Sequence, residues 1–293
     1  MQASAVIDRV VKGFRRHDNP DLLNGDIDSS VVNVPFRGIL KGWGPGGLIE
    51  IGSEIMLVVE VDTGSQIATV IRGWLNTTAG PHSENDPIFI NPRIFRSDVL
   101  DLMNDCLEDL IGKDLYTVAA EEKAYDPALI GYSIPEDALD VLRVDGLKDS
   151  FSQYWEPIYD WLEVDNTDTA DFSTGKALML RTALPPGAFR IIYSAAFTRI
   201  AVETDDMETQ VGLRLYMTDL PFYYSMSRLM VDLERNRSQI KSAEGHQRAQ
   251  DVPAFLALRT GEWYQARYED RIRVCRSRLL KETKRVRGTG YGS

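Results

Sequence analysis

The segment from Ile49 to Pro92 constrains the fold most, because two successive runs in it alternate with a period of two. In the first run Ile55, Leu57, Val59 and Val61 share one face, and Glu54, Met56, Val58 and Glu60 share the other. Asp62-Thr63-Gly64-Ser65 then forms a hairpin turn, with a glycine able to take positive φ. In the second run Ile67, Thr69 and Ile71 alternate with Ala68, Val70 and Arg72. A polar excursion from Arg72 to His82 returns through Ile88-Phe89-Ile90 and stops at Asn91-Pro92, which reads as an N-cap followed by proline at the first helical position. The segment predicts a compact β-module that feeds a helix.

The rest of the chain extends this pattern into an α+β protein. It has two β-rich modules, sandwich- or barrel-like, joined by an amphipathic helix, and ends in a helical hairpin or a long helix. Residues 1–30 read as an N-terminal helix (Ser4 to Arg16) and a polar linker. Residues 31–92 form the first β-module, of about five strands. Within it, Lys41-Gly42-Trp43-Gly44-Pro45-Gly46-Gly47 is a turn; no Gly-Lys-Ser/Thr ending and no helix follow to make it a phosphate loop. Residues 93–114 carry the joining helix, with Phe95, Val99, Leu102, Met103, Cys106, Leu107 and Leu110 on one stripe and Gly112 closing it.

Residues 115–204 form the second, sandwich-like module. Its expected strands are Leu115–Ala119, Val141–Val144, Tyr154–Val164, Ala177–Thr182 and Phe189–Phe197. Residues 205–293 turn helical. A short helix is expected over Met207–Tyr216, another opens at Asp219-Leu220-Pro221, and a last long helix runs from Pro253 to about Arg287. Phe255, Leu258, Trp263, Tyr264, Tyr268, Ile272, Cys275 and Leu279 fall on its apolar stripe. A glycine-rich tail ends the chain.

Charge divides the chain unevenly. The net charge is −11, yet residues 251–293 hold ten basic and five acidic side chains, which leaves −16 on the remainder. An acidic body with one basic helix is a poor general nucleic-acid binder and suits self-association or docking onto another protein. Two cysteines far apart, Cys106 and Cys275, make neither a disulfide framework nor a metal set. No window approaches a membrane span, and no membrane partner is expected.

No catalytic pattern stands out in the sequence, so the chain is read as non-enzymatic, without cofactor or metal. The three histidines, His17, His82 and His246, form no His-Glu-x-x-His pair, and there is no Gly-x-Ser-x-Gly. His82 with Glu84 and Asp86, and Asp165 with Asp168 and Asp171, are short polar loops that read as solvated rather than metal-binding. Tyr154-Trp155, Tyr159 and Trp161 read as half core and half interface.

Several short motifs resemble the head-to-tail connector, or adaptor, proteins of tailed-bacteriophage necks. They are Val70-Ile71-Arg72-Gly73, then Thr77-Thr78-Ala79 and His82, and the strand running to Asn91-Pro92 before an amphipathic helix. Phe189 to Phe197, Asp219-Leu220-Pro221 and Tyr264-x-x-Arg267-Tyr268-x-x-Arg271-Ile272 match the same proteins. Asn76 stands where the family motif carries glycine.

The resemblance implies a virion structural protein made in the host cytoplasm. It would form a homo-oligomeric ring, commonly of twelve copies, below the portal. The ring would extend the DNA channel, touch packaged DNA transiently and dock the next neck or tail protein. The candidate portal-binding residues are Arg271, Arg273, Arg276, Arg278, Lys281, Lys284, Arg285 and Arg287. Removing residues 271–293 is expected to block docking and leave the fold intact. Arg72, Asn76, Thr77, Thr78 and His82 are the candidate inter-subunit or neck-contact loop. The alternatives are another tail or baseplate structural protein and, in a different class, a carbohydrate-binding or hydrolytic β-sandwich protein.

Overall fold

The computed structural model describes residues 1–15, 20–38, 42–149, 154–181, 187–239 and 256–286. His17, His246, Pro253, Phe255, Arg287 and the glycine tail lie outside them. The chain is a mixed α and β protein that divides into two compact units, each discontinuous in sequence. The first comprises residues 1–106, 200–207 and 219–267, and the second residues 107–199, 208–218 and 268–293.

The first unit is built on a closed six-stranded barrel. Its strands are β1 (Asp21–Leu23), β2 (Asn33–Arg37), β3 (Leu48–Ile51), β4 (Glu54–Asp62), β5 (Ile67–Ile71) and β6 (Pro87–Ile90), in the order β1-β2-β5-β4-β3-β6. Residues 1–30 are therefore not only helix and linker. Leu22 and Leu23 pair with Arg37 and Phe36 while Asp21 and Leu22 pair with Ile88 and Pro87, so β1 is the strand that closes the barrel. Closure leaves no free strand edge.

Inside the barrel, Leu23, Val34, Phe36, Ile49, Ile51, Met56, Val58, Ala68, Val70 and Ile88 form one buried cluster. The even alternation expected along β4 breaks at a bulge between Val58 and Glu60. Met56 and Val58 point inward before it, and Val61 packs on the core after it. In the glycine-dense turn, Trp43 stacks on Phe36 at 4.1 Å and its indole donates to Asp21 at 2.7 Å. At the β4–β5 hairpin the Asp62 carboxylate accepts from Gly64 N and the Ser65 hydroxyl. Gln66 rather than Gly64 takes the positive φ.

Helix α1 (Ala3–Phe14) buries Val6, Ile7, Val10 and Val11. Helix α2 (Arg96–Gly112) starts four residues later than Asn91-Pro92 implies. Asn91 instead adopts φ 44 and closes the strand turn, with its amide oxygen accepting from Leu48 N at 2.8 Å. The cap of α2 comes from two carboxylates: Asp98 accepts from Phe95 N, and buried Glu50 accepts from Arg96 N at 2.6 Å. Beside Glu50, Arg15 pairs with its carboxylate and with Ile94 O while lying over Phe89. Arg96 joins Asp8 at 2.6 Å and Glu203 at 2.5 Å. Helix α3 (Leu220–Gln239) opens where expected and meets the first part of helix α4 (Leu256–Val286) at Gly261.

The second unit packs two sheets over one core. The four-stranded sheet has the order β10-β9-β13-β7 and the three-stranded sheet the order β11-β12-β8. The strands are β7 (Thr117–Ala124), β8 (Tyr132–Ser133), β9 (Ala138–Asp149), β10 (Tyr154–Ile158), β11 (Trp161–Asp165), β12 (Lys176–Leu180) and β13 (Ala188–Ala195). Tyr132, Ile134 and Leu178 from one sheet share a buried cluster with Val141, Val144, Phe189, Ile191 and Tyr193 from the other. The run Tyr154–Val164 is two strands in different sheets, broken at Tyr159-Asp160.

Met207–Tyr216 is not a helix. Gly212 adopts φ 81 where a Cβ would lie 3.1 Å from Thr117 Oγ1, and Val211 and Leu213 are buried on either side of it, a period of two; only Leu215–Met217 makes a 3-10 turn. Gly112 is the last residue of α2 rather than the left-handed residue beyond it. That position is Asp114, at φ 57, with Leu115 N donating to Leu110 O and Asp114 N to Ile111 O.

Candidate functional site

Two places gather the sequence-selected residues: the loop after β5 and the exposed face of α4. Glu54 organises the first. It opens β4 with its side chain 2% exposed, a position at which a bare carboxylate is costly. Arg72, just past the end of β5, answers it with two bonds of 2.7 Å, from Nε to Oε1 and from Nη2 to Oε2. Gly73 N donates at 3.0 Å, Gly80 N at 3.1 Å, and His82 Nε2 lies 2.8 Å away. Arg72 has donors to spare and also reaches the carbonyls of Asp28, Val31 and Gly80.

Burial pushes the Glu54 carboxyl up. The hydrogen bonds from Arg72, His82, Gly80 and Gly73 outweigh it and hold the group at about 2. Thr77 ties the loop to β4 a second time, its hydroxyl accepting from Ile55 N at 3.0 Å and donating to Trp74 O at 2.8 Å.

Arg72, Thr77 and His82 therefore face inward, onto Glu54 and the β4 backbone. Asn76 and Thr78 stay exposed. At the tip the backbone is left-handed at three of four positions, Gly73 (φ 61), Leu75 (φ 53) and Asn76 (φ 62). Asparagine and glycine tolerate that region and leucine does not. Leu75 nevertheless stands 56% exposed, beside Trp74 at 37%.

Glu54 is the residue that sequence reasoning passed over. Its signal was a carboxylate sharing a strand face with Met56 and Val58, which obliges a cation nearby. The loop's other acids do not converge with His82: Glu84 pairs with Arg37 at 2.5 Å and Asp86 accepts from Ser83 N at 2.9 Å. In the Asp165–Asp171 loop, Asp168 accepts from Ala170 N. Among the described residues no group of three or more His, Cys, Asp or Glu is placed to hold a metal ion. The aromatic run also divides. Trp161 packs on the sandwich core, Trp155 lies against the Arg190 guanidinium at 4.7 Å, and Tyr154 and Tyr159 are exposed.

The second place is the C-terminal half of α4. Tyr268, Ile272, Cys275, Leu279 and Thr283 are buried, at a spacing of three and four. The Tyr268 hydroxyl donates to Asp109 at 2.7 Å, Arg271 donates to Tyr216 O at 2.9 Å, and the Cys275 thiol lies 3.3 Å from the same oxygen. Tyr216 is held up at about 12 by burial and by Glu282 beside it. Trp263, expected on the buried stripe, is 51% exposed because it falls on the opposite side of the helix from Gly261 and Tyr268.

The removal of residues 271–293 would thus strip core from the second unit, and the expectation that it leaves the fold intact is corrected. Of the candidate docking residues, Arg271 turns inward. Arg273, Arg276, Arg278 and Lys281 are exposed, together with Val274 and Leu280. Arg273 pairs with Asp270, Arg276 with Asp114 and Arg278 with Glu282, all at the surface. Nothing is described for the side chains of Lys284 and Arg285.

No protein-family model matches the chain, and no curated protein matches it in sequence. Among the described residues no helix is long and apolar enough to cross a membrane.

Proposed function

We propose that this chain is a head-to-tail adaptor of a tailed-phage virion: a non-enzymatic ring subunit below the portal that continues the DNA channel and receives the next neck or tail component. In this reading its two β-modules, joined by α2, form the ring body, and α4 turns an exposed basic face outward. The observation that carries the reading is the convergence of the motif residues. Arg72, Gly73, Thr77 and His82, through which the family resemblance runs, are wired together around Glu54 and the start of β4. Asn76, at the motif's glycine position, has the left-handed backbone that a glycine there would serve. The exposed Arg273, Arg276, Arg278 and Lys281, set against an acidic remainder of −16, add a docking face suited to an acidic partner.

The test is co-assembly with the portal protein of the same phage, observed by negative-stain microscopy. The expected result is a portal with an added ring layer. Absence of any complex with the portal would remove the reading, and turnover on a glycan panel would favour the hydrolytic class.

A further inference from the structure

We infer that the exposed face of α4 in one copy docks on the outer β4–β5 face of the barrel in a second copy, in a head-to-tail contact between subunits. The inference rests on the ring reading above and names the two surfaces that would build the ring.

The barrel face is unusual for a solvated surface. Leu57 and Ile71 are register partners on β4 and β5, and Val59 follows on the bulged side of β4. Val59 and Ile71 are 48% and 46% exposed. Trp74 and Leu75 continue the apolar run at the end of β5. Clustered exposure of this kind marks an interaction surface, whereas single exposed apolar residues do not. Leu75 is held there in a left-handed conformation that costs leucine free energy, on a loop anchored through buried Glu54. Strain that an internal network sustains in order to present an apolar side chain to water points to a use for that side chain. Exposed Glu60 and Asp62 give the face an acidic rim.

The α4 face has the complementary chemistry. Val274 and Leu280 are 56% and 45% exposed, Lys281 stands with them, and Arg273 and Arg276 would exchange their surface carboxylates, Asp270 and Asp114, for the acidic rim of the second copy. Apolar centre meets apolar centre, and basic rim meets acidic rim. The closed barrel has no strand edge to offer, so a partner must lie on its face, as a helix does. Two different surfaces of one chain make the contact heterologous, and repetition of such a contact gives a ring if the rotation closes. The rim charges are exposed, so the contact is expected to be sensitive to salt.

Sedimentation of the full chain over a range of concentrations tests this. The expected result is association that weakens about tenfold or more for Ile71→Lys, which sets like charge against the arm, and similarly for Arg273→Glu/Lys281→Glu. Mixing the Ile71→Lys chain with the Arg273→Glu/Lys281→Glu chain is expected to restore much of the contact. A circular dichroism spectrum matching the parent chain identifies the variants as folded. A chain that stays monomeric at every concentration, or association unchanged by both variants, would overturn the contact. Loss of self-association with portal binding retained supports the contact and leaves the virion reading standing. Self-association through these faces with no portal complex supports the contact and removes the virion reading.

Discussion

At the scale of single residues, the chain places charge where water is absent and then answers it. Glu54 is the clearest case. Its carboxyl, held at about 2 against an ordinary 4.5, binds protons less readily folded than unfolded. Its contribution to stability is therefore complete above about pH 4.5 and is lost as pH falls toward 2. That contribution is on the order of 2 kcal/mol. Urea unfolding followed between pH 6 and 2.5 is expected to show this decline, and Glu54→Gln is expected to flatten it.

Arg72→Ala leaves the same carboxylate buried without its strongest partner and is expected to cost about 3–5 kcal/mol in urea denaturation. Leu75→Gly is expected to act oppositely. It releases a left-handed leucine that buries little, and a gain of about 0.5–1 kcal/mol in the same measurement would show that Leu75 is retained for a reason other than stability.

At the scale of elements, helices and strands differed in how legible they were. Helices α2, α3 and α4 show in the sequence because apolar residues at three and four along a long run permit little else. Their ends were less visible. Asn91 looks like a cap, yet α2 is capped by Asp98 and by Glu50, the latter 46 residues earlier than the backbone group it satisfies. β1 escaped notice because three residues carry too few alternations to signal a strand, and it exists only through its two neighbours. The bulge in β4 is invisible in the sequence, since both faces of that run are largely apolar. The motif loop was legible as a unit, but its direction was not. Arg72, Thr77 and His82 read equally as outward contacts until Glu54 is placed among them.

The α3–α4 crossing offers a sharp test of packing at this scale. A Cβ on Gly261 would lie 3.2 Å from Met230 Cβ and from Ser227 O. Gly261→Leu is expected to lower stability by about 1–3 kcal/mol in thermal or urea unfolding, against the gain in helix propensity such a change would bring elsewhere.

At the scale of the whole molecule, the buried stripe of α4 from Tyr268 to Thr283 belongs to the second unit, while the exposed stripe beside it carries the charge that sets this helix apart from the acidic remainder. At about 1.5 Å per residue its 31 residues extend roughly 46 Å, with buried residues on one side and exposed arginines on the other. That double duty is why truncation misleads and surface charge reversal informs. The proposed function puts the protein at one place in a particle, the junction of head and tail. Immunogold labelling of this protein on intact virions, viewed by electron microscopy, tests it most directly. Label is expected at the neck, between capsid vertex and tail; label at the tail tip or baseplate, or virions that carry none, would rule the adaptor role out.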